Sequence, residues 1–93
     1  MTFGEAIDAA KNGFRITRNG WNGRGMFVYY QEGSTIMEAD CRNKVIRDIA
    51  AKNPNGRVDI RAHLDMFTAQ GDVQIGWLAS QSDMLAEDWE LTQ

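Results

Sequence analysis

At 93 residues, with 43% hydrophobic and 25% charged side chains, the chain has the size of one globular domain and a composition unlike that of a disordered segment. A formal net charge of −3 and a pI near 5.0 argue against a duplex nucleic acid partner, whose binding is dominated by Lys and Arg contacts to many phosphates. The single cysteine, Cys41, excludes a disulfide framework and a cysteine metal cluster, and no stretch approaches the ~18 apolar residues of a membrane span.

The segment Met1-Thr2-Phe3-Gly4-Glu5 carries neither a basic region nor an apolar run of signal-peptide length, so a cytoplasmic location is expected. Thr2 followed by Glu5 has the spacing of a capping box, and Phe3, Ala6, Ile7 and Ala10 recur at helical spacing up to the stop at Lys11-Asn12-Gly13. Phe14 to Arg18 alternates as a half-buried strand does, and Met26 to Tyr30 is a second strand rich in aromatic and branched residues. Asn19-Gly20-Trp21-Asn22-Gly23-Arg24-Gly25 between them predicts a hairpin loop with positive φ. From Met37 to Lys52 a stripe of Cys41, Val45 and Ile49, joined by Ile46 and Ala50, predicts a middle helix ended by Asn53-Pro54-Asn55-Gly56.

Val58 to Leu64 alternates strictly and Asp65 to Thr68 continues it, which predicts one strand paired through the turn Ala69-Gln70-Gly71-Asp72 with Val73 to Leu78. Ser80 to Asp83 offers N-caps for a short helix from Met84, and Trp89 to Thr92 closes the chain as an edge strand. The expected architecture is α+β, a small mostly antiparallel sheet with an N-terminal helix, a middle helix and a short C-terminal helix, forming one ligand-binding domain over residues 1–93. A chain this short buries only roughly 60–65% of its unfolded surface, so a homo-oligomer is expected.

The residues give little to catalysis. His63 is the only histidine and reads as a structural ring bonded to backbone or to a carboxylate such as Asp65, while Cys41 lies on the apolar stripe as an unreactive buried thiol. Asp65, Asp72, Asp83, Glu87 and Asp88 match no calcium loop; Glu87-Asp88 reads as solvated surface and Asp83 as a helix cap. No nucleophile, metal or cofactor is expected.

Binding is better supplied. The glycine-rich loop can cradle an anion with its N–H groups, and Trp21, Phe27 and Trp77 can wall a purine. At Trp77-Leu78-Ala79-Ser80-Gln81-Ser82-Asp83-Met84 the unpaired N–H groups of a helix start suit phosphate, with Ser80, Gln81 and Asp83 offering hydrogen bonds to ribose or base edges. A hairpin turn and a capped helix over a buried Trp account for the same two segments. An aromatic protein-binding surface and a metal-dependent phosphodiesterase are the other functions open at this point.

Thr2-Phe3-Gly4-Glu5-Ala6, Arg18-x-Gly20-Trp21-Asn22-Gly23-x-Gly25-Met26-Phe27, His63-x-Asp65-Met66-x-Thr68-Ala69 and the block from Trp77 to Trp89 together resemble a phage family, the second type of Thoeris anti-defence protein. The resemblance implies a non-enzymatic sponge that sequesters the cyclic ADP-ribose isomer made by Thoeris TIR proteins, of the glycocyclic type, in the bacterial cytoplasm. It also implies a homotetramer with pockets between protomers, and in some members separate sites for cyclic dinucleotides or trinucleotides. The matching positions are Trp21, Asn22, Gly23 and Phe27, and Trp77, Ala79, Ser80, Gln81, Asp83 and Met84. Three departures stand out: Phe67 where relatives carry Lys, Gln70 where they carry Asp, and Gly76 where Pro usually precedes the Trp. The charged stretch from Glu38 to Lys52 has no fixed counterpart.

Overall fold

The capping box forms as read: Glu5 N–H donates to Thr2 Oγ1 at 3.2 Å and Thr2 N–H to Glu5 Oε1 at 2.9 Å, starting α1 (Phe3–Lys11), which stops at Gly13 with φ 94°. The computed structural model describes residues 1–93, and after α1 come β1 (Arg15–Arg18), β2 (Phe27–Gln31), β3 (Ser34–Met37), α2 (Lys44–Lys52) and β4 (Arg57–Ile60). β5 (His63–Phe67), β6 (Val73–Ile75), α3 (Gln81–Leu85) and β7 (Trp89–Thr92) complete an α+β chain with the three helices expected. It divides into two units, Met1–Gln31 with His63–Gln93, and Glu32–Ala62.

In the first unit five strands pair antiparallel in the order β6-β5-β2-β1-β7, which leaves β7 at an edge. The registers Ile16↔Val28 and Val28↔Met66 put these three side chains on one face, and side-chain alternation adds Tyr30, Leu64 and Trp89 to it. α1 lies on this face. Ala6 and Ala10 are fully buried there with Ile16, Val28 and Trp89, their small side chains letting the helix approach closely. Burying Ile16 and Val28 contributes about 1.5–3 kcal/mol each. The same alternation puts Arg15, Phe27, Tyr29, Asp65 and Phe67 on the opposite face, on which no helix of this unit packs.

The second unit corrects two expectations. The segment expected to be helical from Met37 instead supplies the end of β3, a 3-10 turn at Glu38–Asp40, and a helix only from Lys44. Asn43 sets that start, because its Oδ1 accepts from Val45 N–H at 3.0 Å and Ile46 N–H at 3.1 Å. The stripe is rotated accordingly: Val45 and Ile49 are 64% and 43% exposed, while Cys41 and Ala50 are buried and Ile46 is half-buried. The long strand expected from Val58 is in fact two, since β4 pairs with β3 (Ile36↔Val58) and β5 pairs with β2, with Arg61 and Ala62 between them. An unbroken alternation cannot reveal that its halves have different partners.

No helix is long and apolar enough to cross a membrane. Replacing the buried Trp89 by Ala should lower unfolding free energy by about 3–5 kcal/mol, whereas Val45→Ser, at an exposed position, should stay within about 0.5 kcal/mol. Urea unfolding of both variants checks the pair.

Candidate functional site

The two tryptophan segments meet at one end of the first unit. Trp21 packs edge-to-face on Trp89 (centroids 5.3 Å apart, 77°) and on Trp77 (6.2 Å, 69°), and Trp77 on Trp89 (6.2 Å, 77°). Such pairs add about 0.5–1.5 kcal/mol each beyond the area they bury. Trp21 and Trp77 are half-buried in this cluster and Trp89 is fully buried.

One carboxylate organises the polar side of the cluster. Asp83 Oδ1 accepts from Arg18 Nη1 at 2.8 Å and Trp21 Nε1 at 3.0 Å, while its Oδ2 accepts from Ser80 N–H at 3.2 Å. Its backbone carbonyl accepts the indole N–H of Trp89 at 2.9 Å. Arg18 Nε reaches Asp88 Oδ1 at 2.8 Å, and Asp88 Oδ2 accepts Gly20 N–H at 2.7 Å. Asp88 is therefore not the solvated surface residue expected of an acidic run; it is half-buried and spent on β1 and the first loop. A side chain at Gly20 would crowd this contact, since a Cβ would stand 2.7 Å from that same Asp88 oxygen and the carboxylate would have to shift. Of the loop expected to cradle an external anion, the Gly20 N–H is spent on the chain's own Asp88 carboxylate, and only Gly25, at φ 74°, has positive φ.

Burial alone pushes Asp83 up, but hydrogen bonds from Arg18, Trp21 and Ser80 outweigh it and hold the group below its ordinary 3.8. Asp88 is also lowered, chiefly by its Arg18 hydrogen bond, and Arg18 is raised by the bonds to Asp88 and then Asp83.

At the start of α3, Ser80 and Asp83 close a capping box, with Asp83 N–H donating to Ser80 Oγ at 3.1 Å. The Gln81 and Ser82 amides are the N–H groups left at this helix start. Asn22, Ser80, Gln81 and Met84 are exposed around it, Ala79 is half-buried, and Gly23 lies against Met26 and Ala69. Leu78 and Leu85, which the sequence did not single out, project into solvent at 90% and 79% exposure.

Phe27 is not with them. It lies on the opposite sheet face, stacked on Phe67 (5.1 Å, 20°) beneath the Arg15 guanidinium, 4.8 Å from its ring centroid. Those residues, with Tyr29, Tyr30, Val73 and Gly13, line a hollow of about 390 Å³. The Tyr29 phenol is pushed up by burial and by the neighbouring Asp65 carboxylate. Arg15, Tyr29 and Phe67 were missed as a group because only the strand registers align them; β-strand alternation in each segment was the available signal.

His63, in the first unit, has Nδ1 2.7 Å from Asp65 Oδ1, as its structural reading expects; Cys41, in the second, is buried with Sγ donating to Met37 O at 3.3 Å. No cluster of three or more His, Cys, Asp or Glu side chains is placed to hold a metal ion.

Because Asp83 and Asp88 have lowered values in the folded chain, they stabilise it above the unfolded carboxyl value near 3.8, and that stability is lost as pH falls through the folded values. The melting temperature should be flat near neutral pH and fall below about pH 4. Asp83→Asn should lower it at neutral pH and flatten the acid limb, which melting curves across pH will show.

The family model described as Thoeris anti-defense 2-like domain matches residues 1–92. Thoeris anti-defense 2 of Bacillus phage SP01 is 30% identical over 92 residues, covering 98% of this chain and 93% of that protein. The match takes in both tryptophan segments, the strands that carry the aromatic hollow and the excursion between them, so the chain belongs to the Thoeris anti-defence 2-like family.

Proposed function

We propose that this protein acts for a phage in the cytoplasm of its bacterial host, binding and sequestering the cyclic ADP-ribose isomer that signals in Thoeris defence and leaving its bonds intact. Membership of the Thoeris anti-defence 2-like family along nearly the whole chain carries the reading. The convergence of the two tryptophan segments supports it: the half-buried Trp21 and Trp77 offer ring surface to adenine, and Asn22, Ser80 and Gln81 are exposed for ribose hydroxyls. The Gln81 and Ser82 amides suit pyrophosphate. Ala79, Gly23 and Met84 shape the rim, and Asp83 acts by holding Trp21 and Arg18 rather than by reaching outward. In a homotetramer these pockets lie between protomers, with Phe27 outside the tryptophan site on the opposite sheet face.

A sponge works by stoichiometry, so it needs slow release and sub-micromolar affinity, at least about 8 kcal/mol. Incubation with the TIR product followed by heat denaturation should return the ligand intact. A degraded product would mean an enzyme, and co-purification of a host or virion protein without any nucleotide-dependent thermal shift would mean a protein-binding surface. Gln81→Ala, at an exposed side chain, should weaken binding by about 0.5–1.5 kcal/mol and leave the melting temperature unchanged.

The hollow on the other sheet face favours a second ligand class, the cyclic dinucleotides or trinucleotides, with a base against the Phe27–Phe67 pair and phosphate on Arg15. Phe67→Ala should cost that ligand about 1–3 kcal/mol and spare the ADP-ribose isomer. Parallel titration calorimetry separates the two, and equal losses would place both ligands in one site.

A further inference from the structure

We infer that Asp65 is a positioning residue for Trp77: its carboxylate latches the amide of Gly76 and thereby sets which face of the sheet the Trp77 ring occupies. The inference rests on the proposed function only in giving that ring a ligand to meet.

The β5–β6 register pairs Asp65 with Ile75, so the same ladder continued by two residues would set His63 opposite Trp77. Alternation would then send the Trp77 side chain to the face of Phe27, Asp65 and Phe67. The Trp77 N–H instead donates to the carbonyl of Leu64 at 2.7 Å, which leaves one residue extra on this strand. That residue is Gly76, at φ 80°, and a glycine in the left-handed region followed by a shifted partner is the signature of a G1 bulge. The bulge reverses the side-chain parity. Trp77 consequently packs with Trp21 and Trp89 on the helix-covered face, which simple alternation forbids.

A bulged amide loses its ladder acceptor and must find another. Asp65 Oδ1 supplies it at 2.9 Å. Asp65 has no exposed surface, although an ionised carboxylate is costly to bury without donors. Its donors are concentrated: the oxygen that takes Gly76 also takes His63 Nδ1 at 2.7 Å, while Oδ2 is buried without a partner. The carboxylate is thus oriented by His63 toward one backbone atom. Around it, β5 contributes His63, β2 presents Tyr29 directly opposite, and β6 presents the uncharged Ile75.

Amide exchange followed by NMR on the full chain tests the latch. Asp65→Ala should speed exchange at Gly76 by about tenfold or more, spare the β1–β7 ladder, and shift the Trp77 indole signal more than that of Trp21 or Trp89. Asp65→Asn keeps an acceptor at the same place and should restore both signatures. Unchanged Gly76 protection in Asp65→Ala, or the same loss in the Asn and Ala variants, overturns the proposal.

Should Asp65→Ala fail to fold, the unmodified protein decides. Its Gly76 amide must be protected from exchange like the amides of the β5–β6 ladder, and a Gly76 amide that exchanges at the rate of an unbonded one sinks the latch. Affinity for the ADP-ribose isomer keeps the two readings apart. Loss in the Ala variant with recovery in the Asn variant supports both, whereas exchange changes with unmoved affinity remove Trp77 from the ligand site and leave the latch standing.

Discussion

The carboxylate of Asp83 is the point through which the tryptophan end of the molecule is held together. It receives Arg18 from β1, Trp21 from the first loop and Ser80 from the start of α3, while its own carbonyl receives Trp89 at the start of β7. Residues from both ends of the sequence are thus fixed by one side chain with little solvent around it. In such a place the hydrogen bonds outweigh the desolvation that burial exacts, and removing one partner leaves the others unpaired. Asp88 repeats the device at the edge, joining Arg18 to Gly20.

This arrangement separates support from contact. The polar atoms of Asp83 and Asp88 face inward and fix ring orientation, and the exposed Asn22, Gln81 and Met84 stand around the rings they fix. A surface built this way is ordered in the chain alone, and preorganisation of that kind lowers the ordering cost of any association. The other sheet face is assembled differently, from rings and one guanidinium in strand register with no helix of the unit above them.

Much of the fold was legible where short-range rules operate. Thr2 and Glu5 set the first helix, the cap candidates from Ser80 to Asp83 announced the last, which starts at Gln81 rather than Met84, and the alternation of Phe14 to Arg18 with the closing run Trp89 to Thr92 found strands of the sheet. What was not legible depended on pairing across the chain. The run from Val58 reads as one strand because alternation says nothing about partners, and Asn43 could cap a helix within a segment whose apolar spacing already looked helical. At the candidate site, Trp21 and Trp77 could be chosen from composition, but their packing on Trp89 could not. Phe27 was grouped with Trp21 by nearness in sequence, whereas strand register sends it to the opposite face.

The excursion from Glu32 to Ala62 leaves the sheet after Gln31 and returns at His63, two residues that face one another across the β2–β5 ladder. Its ends are therefore already held together by the sheet, and closing a longer or shorter connection between them changes the entropy only slowly with length. The segment can gain, lose or exchange residues while the strand order and the tryptophan end stay as they are. Changes of length there fall on the β3–β4 pair and α2 and leave the registers of the five-stranded sheet untouched.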